Sequence, residues 1–305
     1  MKILECHFSG DADLRRMAEL VRQFPDQNIH VVDLPYRLCS WSFDFPENIR
    51  LWKDEQGQLL AWAVLQVPFW KIDYAYNPAF QAILHPQILT WADGQADKIV
   101  GKPNGHPAWF VAVLASQTDR IRDLEQVGFT SQENMGEHSW TQVLMKHSMQ
   151  IPKETHRSEG FHIRVLKGAS EVEAYAALHR SVFESKNMTV DWRNRTLQRP
   201  EYIPELDLVA EAPNGQLAAF CICWLAQDAG GNIRGQIEPL GVAAAYRRLG
   251  LGRAILSEGL QRLQSKGATQ IYVQTDNYRN AAFKLYESSG FHGIQDILMY
   301  RKDYQ

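Results

Sequence analysis

The sequence predicts a mixed α/β fold, a mostly antiparallel sheet flanked by helices, present twice in tandem. Three observations carry this expectation. First, matches recur at a nearly constant offset. Gly10 with Gly168, Pro46-Glu47 with Pro204-Glu205, and GQLLAWAV (57–64) with GQLAAFCI (215–222) all stand 158 apart; Gln117-Thr118-Asp119 matches Gln274-Thr275-Asp276 at 157, and Gly128-Phe129 matches Gly290-Phe291 at 162. A period this long means duplicated domains and not a solenoid. Second, strand-like runs come in succession before they alternate with helices, which is the order of a mixed sheet and not of a doubly wound one. Third, 305 residues are the usual length of two domains. The expected domains are 1–150 and 161–305, joined at 151–160 by a polar, charged segment that carries Pro152.

Taken in order, each half opens on a strand (4–8 and 161–166) followed by an amphipathic helix (11–24 and 170–183) and a variable stretch. Two strands around a turn come next: 50–52 and 59–66 about Glu55-Gln56-Gly57, and 207–211 and 217–225 about Pro213-Asn214-Gly215. Asn-Gly between apolar runs is a strong hairpin signal. In the second half a strand over 233–242 leads to a helix over 251–263. That helix buries Leu256, Leu260 and Leu263 on one stripe and stops at Lys266-Gly267, a cation in the last turn followed by a C-terminal glycine. A strand over 270–275, a helix over 278–289 closed by Gly290, and a strand over 294–301 complete the chain.

Composition excludes several function classes. A net charge of −3 and the lack of a Lys/Arg block argue against a nucleic-acid binder. No apolar run reaches the roughly 18 residues of a membrane span, and the start MKILECHFSG has no secretory apolar core, so a cytoplasmic protein, monomer or homodimer, is expected. Cys6, Cys39, Cys221 and Cys223 are too scattered for a disulfide framework and read as core or half-buried thiols. None of the ten histidines has zinc-ligand spacing, so no metal is expected; His147 and His156, near the linker, read as solvated. The dense aromatics of the first half (Trp41, Trp52, Trp62, Trp70, Trp91, Trp109, Tyr74, Tyr76) read as core or domain interface.

The stretch AYRRLGLGRAI (245–255) carries the chemistry. It joins a strand to a helix, and its glycines sit at the bend. Gly250 and Gly252 permit a tight turn and leave backbone amides uncovered, so that several N–H groups can converge on one anion. The helix start adds its positive dipole end, and Arg247, Arg248 and Arg253 add formal charge.

Here the residues resemble a family. Arg247-x-x-Gly250-x-Gly252, with DNYRNAAFKLYESSGF (276–291) downstream, resembles the signatures of the GCN5-related N-acetyltransferases (GNAT family) over about residues 161–302. The tandem arrangement with one weak copy is similar to mycothiol-synthase-like double acetyltransferases. Ala244 stands where the family often has Pro and Arg248 where it often has Gly; neither change removes the glycines of the cradle. The resemblance implies two tandem acyl-CoA N-acyltransferase domains and acetyl-CoA as co-substrate. It assigns the thioester and pantetheine to Leu240, Gly241 and Val242, with the Val242 amide as oxyanion donor. The pyrophosphate then falls to Arg247, Arg248, Leu249, Gly250, Leu251, Gly252 and Arg253, and a further cofactor contact to Asn280. Tyr286 matches the tyrosine that protonates the departing sulfur; a phenol with pKa about 10 keeps its proton at pH 7. Glu238 is the candidate general base, four residues before Val242 and so on the same face of one strand.

The implied activity is acetyl transfer to a primary amine of a small molecule by direct attack. Two other readings stay open: a CoA-binding regulatory protein without turnover, and a peptide or protein N-acetyltransferase. In the first half, residues 82–95 stand at the offset of 240–253 and carry no Arg-x-x-Gly-x-Gly, while Leu124 stands where Tyr286 does. That half is expected not to bind CoA productively and to shape the acceptor site or support the pair.

Overall fold

The two glycine turns close two hairpins of the same geometry. Gly57 and Gly215 have φ of +82° and +81°, a left-handed backbone that a side chain would oppose. Each amide bonds back three residues, to the carbonyls of Asp54 and Ala212. The computed structural model describes residues 2–151, 159–228, 230–277 and 280–305, and all side chains of these except those of Glu137 and Asn280. The first half runs β1 (Leu4–His7), α1 (Asp11–Gln23), α2 (Leu34–Arg37), β2 (Ile49–Lys53), β3 (Leu59–Gln66), β4 (Lys71–Tyr76), α3 (Gln81–Ile99), β5 (Ala108–Leu114), α4 (Thr118–Gln126), β6 (Thr130–Ser131) and β7 (Thr141–His147). The second runs β8 (His162–Val165), α5 (Val172–Phe183), α6 (Val190–Leu197), β9 (Asp207–Glu211), β10 (Leu217–Gln227), β11 (Ile233–Val242), α7 (Leu251–Ser265), β12 (Gln270–Asp276), α8 (Asn280–Glu287) and β13 (Phe291–Asp303).

The described strands form one sheet in the order β1-β2-β3-β4-β5-β13-β7-β12-β11-β10-β9-β8, with β6 beside β13. Only β4 with β5 and β11 with β12 are parallel, so the expected mixed, mostly antiparallel architecture is present. The order is a palindrome of the two copies, and its centre is an exchange. β13, from the second half, pairs with β5 of the first, Ile297 opposite Leu114. β7, from the first half, pairs with β12 of the second, Tyr272 opposite Lys146. The two exchanged strands meet each other, from Phe291 opposite His147 to Leu298 opposite Thr141.

Helices cover both faces of each wing, because the central strands are apolar on both sides. In the first wing α1 packs Met17 and Val21 against Leu51 and Trp62, and α3 and α4 pack Leu89 and Leu124 against Trp109 and Tyr300. In the second, α7 packs Leu256, Leu260 and Leu263 against Cys221, Cys223 and Ile237. The opposite face holds Tyr175, Trp192, Phe220 and Trp224, and the first half supplies Val32, Tyr36 and Cys39 to the same cluster. The joint is specific. Trp192 Nε1 donates to the Tyr36 carbonyl at 3.1 Å, the two rings lie 5.3 Å apart, and Trp41 Nε1 donates to the Asn187 carbonyl at 3.1 Å. The segment around α2 is thereby laid across the second half.

Three expectations need correction or restriction. The constant offset holds through the hairpins but not beyond them. Residues 82–95 lie within α3, whose counterpart is α7, whereas the counterpart of β11 is β4, and the connection matching the glycine-rich loop is the short Asn77–Phe80 turn. That turn contains no glycine, and the loop of the second half is longer, which breaks the register. His147 is buried and not solvated: its Nε2 lies 2.8 Å from the Ser289 carbonyl and its Nδ1 accepts from the Met149 amide. Most of the 151–160 linker, His156 included, and the Tyr278 start of the last helix fall outside the described residues.

The exchange predicts that residues 161–305 do not fold alone, since β12 and β13 would both lose β7 from between them. A urea titration of that fragment should lack the cooperative transition of the full chain. A two-state transition at the midpoint of the full chain would contradict it.

Candidate functional site

A cleft exists because two neighbouring strands part. β11 and β12 pair from Arg234 with Gln270 to Ile237 with Val273, and no further. There β11 gains a residue: Cys221 faces Leu240 and Cys223 faces Ile237, so that Glu238 and Pro239 together oppose Ile222. Such a bulge bends a strand and increases its twist. On its other edge β11 stays paired with β10, up to Val242 opposite Ala219, and the next amide, of Ala243, donates to Ala218. Because amides alternate in direction along a strand, those of Leu240 and Val242 point away from β10 and into the gap.

The gap opens into a cleft of about 220 Å³. Glu238, Pro239 and Leu240 line it from β11, Gln274, Thr275 and Asp276 from β12, and Ala282 and Tyr286 from α8. Sequence reasoning thus named three residues that come together here: Glu238, Leu240 and Tyr286. Glu238 and Val242 do not share a face, because even spacing does not survive the bulge. The Val242 side chain packs toward α7, its Cγ2 3.5 Å from where a Cβ on Gly252 would lie, while Glu238 turns to the other side. Tyr286 is buried, its ring edge-on to Phe291 at 5.6 Å. Gly241 is wedged against Phe220 and Val182, both 2.6 Å from where its Cβ would lie.

Past Val242 the chain makes one turn (Ala244–Tyr246), and Arg247 Nε returns to the Val242 carbonyl at 3.2 Å. Arg248 and Gly250 both have positive φ, +65° and +77°. The first internal bond of α7 runs from the Ala254 amide to the Gly250 carbonyl, so the amides of Leu251, Gly252 and Arg253 open the helix toward the loop. A Cβ on Gly250 would meet nothing within 4 Å. Arg247, Arg248 and Leu249 are exposed around it, and Arg253 is tied to Ser288 Oγ at 2.9 Å. This is the geometry of an anion cradle at a helix start. Asn280 begins α8, but its side chain lies outside the described residues.

The other wall of the cleft comes from the first half, through His30, Asp33, Arg37, Phe69, Lys71 and Gln142. Sequence reasoning named none of them. α2 and its approach bring His30, Asp33 and Arg37, and the exchanged strand β7 brings Gln142 beside β12. Most of these charges are committed. Arg37 grips Asp73 through Nη2 and Nε at 2.6 and 2.8 Å, and His30 Nδ1 meets Asp33 at 2.8 Å. Asp276 accepts from Gln142 Nε2 at 2.6 Å and from Trp140 Nε1 at 3.1 Å. Glu238 and Lys71 differ. The Glu238 carboxylate has no hydrogen-bond or ion-pair partner among the described residues, and Lys71 Nζ reaches only the Gln142 side-chain oxygen, at 3.4 Å.

Burial pushes the Glu238 carboxyl up to about 8, with the Asp33 charge adding to the effect and Arg37 and Lys71 opposing it. Burial likewise lowers the Lys71 ammonium to about 8, helped by Arg37 and resisted by Asp73, Asp276 and Glu238. At Asp33 burial also acts upward, but His30 and Arg37 outweigh it and hold the carboxyl below its ordinary range. The cleft therefore offers a carboxylate that takes up a proton near neutrality, and Tyr286 lines the same space; groups perturbed in this way are common where protons move to and from a reacting centre. Among the described residues no group of three or more His, Cys, Asp or Glu is arranged to hold a metal, and no helix is long and apolar enough to cross a membrane.

Residues 172–291 match the Acetyltransferase (GNAT) family. Relatives include the mycothiol acetyltransferases of Thermobispora bispora, 33% identical over 153 residues covering 47% of this chain and 50% of the other, and of Kineococcus radiotolerans, 36% identical over 137 residues covering 43% of each. The chain thus spans about half the length of the curated relatives it matches. Similar solved structures include a GCN5-related N-acetyltransferase from Sphaerobacter thermophilus (TM-score 0.66, 20% identity, 99% of this chain and 95% of that one) and a tandem GNAT protein from the clavulanic acid biosynthesis pathway (TM-score 0.64, 9% identity, 99% and 98%). The fold is therefore the tandem GNAT fold along essentially the whole chain.

The raised Glu238 carboxyl fixes a stability signature. Between its ordinary value of 4.5 and about 8 the folded chain holds a proton that the unfolded chain has released, so this group's contribution falls as pH rises through that window. Glu238→Gln removes the effect. The variant should melt above the parent at pH 9, with the gap closing toward pH 5; equal melting temperatures at pH 9 would contradict the assignment.

Proposed function

We propose that this chain, whose C-terminal half is a domain of the acetyltransferase (GNAT) family, moves an acetyl group from acetyl-CoA to the primary amine of a small molecule by direct attack. The observation that carries this reading is that Glu238 and Tyr286 line one cleft, opened where β11 parts from β12, with the glycine cradle following on the same strand. The pyrophosphate of acetyl-CoA sits on the amides of 250–253 and among Arg247, Arg248 and Arg253, and the pantetheine runs along Leu240, Gly241 and Val242. Asn280, at the head of α8, is a further contact of the co-substrate.

In the reaction Glu238 takes a proton from the incoming ammonium. The free nitrogen then attacks the thioester carbonyl, and the oxyanion accepts a hydrogen bond from the Val242 amide, a donor already aimed into the gap. Collapse expels the thiolate, which takes the proton of the Tyr286 hydroxyl, and the new amide nitrogen gives up its second proton, which restores the phenol. A base of raised pKa matches the proton it must remove, since an amine of pKa near 8 is about a tenth neutral at pH 7, whereas one near 10.4 is only about 0.04% neutral. The first half supplies the acceptor's wall of the cleft.

Thiol release from acetyl-CoA across a panel of primary amines tests the reading. If acetyl-CoA binds and no amine raises release above background, the chain is a CoA-binding protein without turnover. Two substitutions follow. Tyr286→Phe should lower kcat by about 100-fold or more, the usual worth of a positioned acid, and leave the Kd for acetyl-CoA unchanged in calorimetry; an unchanged kcat removes Tyr286 from the mechanism. Gly250→Val puts a branched side chain on a left-handed backbone, over the amides of the cradle, and should raise that Kd by about tenfold or more, equivalent to roughly 1.4 kcal/mol.

A further inference from the structure

The cleft contains a cation that amine chemistry does not require. An acceptor that is only an amine has a use for Glu238 and none for a cation beside it, yet Lys71 opens into the same space from the start of β4. Lys71 is buried to 7% exposure, with one acceptor in reach, the Gln142 oxygen at 3.4 Å, which Gln274 Nε2 also engages at 2.7 Å. The Trp140 ring flanks the ammonium at 5.4 Å. An ammonium has three N–H donors, and no carboxylate of the described residues comes within 4.0 Å of this one. The nearby cation Arg37 is neutralised by Asp73, so it does not compete for an incoming anion.

A buried cation with no carboxylate in contact is unfavourable unless a ligand completes it. The carboxylate of Glu238, half-buried in the same cleft, likewise has no partner in contact among the described residues. Each lies within the other's field, but they form no ion pair with each other. A molecule bearing both an ammonium and a carboxylate would satisfy both.

We propose that the acceptor is an amino-carboxylate, its amine facing Glu238 and its carboxylate bound by Lys71, which makes Lys71 of the first half the specificity-determining residue of a site in the second. The inference rests on the acetyl-transfer reading above. Lys71 touches no reacting atom and acts by holding the acceptor's far end, so its loss falls on carboxylate-bearing acceptors alone.

The test compares matched acceptors by thiol release from acetyl-CoA. L-leucine, L-phenylalanine, L-serine, β-alanine and 4-aminobutyrate are each set against their carboxamide and the amine left on removing the carboxyl group. At least one amino acid should exceed both of its neutral counterparts in kcat/KM by about 30-fold, in the range that a hydrogen bond to a charged group confers. Lys71→Met should abolish that ratio by lowering kcat/KM for the amino acid and not for its decarboxylated amine. If neutral amines are acetylated as well as or better than their carboxylates, the inference fails and the acetyl-transfer reading stands. If no amine of either kind is acetylated while acetyl-CoA binds, both fail. The parent protein alone decides the first comparison, even if Lys71→Met does not fold.

Discussion

The site depends on the exchange of final strands at the centre of the sheet. β7 and β13 each complete the other half's wing and pair with each other, so the two copies form one sheet through backbone hydrogen bonds. An interface of packed side chains alone leaves two domains free to shift; a continuous ladder fixes their register. That register brings Gln142, on β7, beside Asp276 on β12, and it brings the start of β4 close enough for Lys71 to reach Gln142. The packing of Tyr36 on Trp192 and Trp224 fixes the other side of the cleft. What reads along the chain as two domains works as one frame, with the site where its wings meet.

Electrostatics follow from that enclosure. A cleft between two wings excludes water from ionisable groups that a single domain would leave solvated, and the groups respond according to their partners. Asp33 keeps its charge because His30 and Arg37 face it. Glu238 and Lys71, without such partners, have their charged forms disfavoured from opposite directions, and both settle near 8. The same absence of partners that costs stability leaves these two groups available to a ligand, as is common at functional sites.

Much of the fold was legible in the sequence, because its signals are local. Asn214-Gly215 marks a turn by its own backbone preference, β11 is found over the residues expected for it, and Gly250 and Gly252 mark a bend over amides wherever the rest of the chain goes. The duplication supplied the tandem architecture. The candidate site was legible only on the side that the second half builds. Arg37, Lys71 and Gln142 carry no local pattern; they reach the cleft through strand exchange and the lie of α2, which are contacts between residues far apart in sequence. The bulge at Glu238 and Pro239 was invisible for a related reason, since strict alternation is assumed until a partner strand shows a residue in excess. His147 looked solvated beside a polar segment, yet the pairing of β7 with β13 encloses it.

The palindromic strand order has a consequence for how such a molecule can diverge. Two identical chains trading their last strands would produce the same order about a true two-fold axis, and every substitution would then occur twice, improving one site while altering its twin. Joined in one chain, the copies are released from that symmetry. One can lose its glycine loop and carry Leu124 where the other has Tyr286, while offering Lys71 and Arg37 across the seam. Covalent continuity is what permits a division of labour between halves that began as equals.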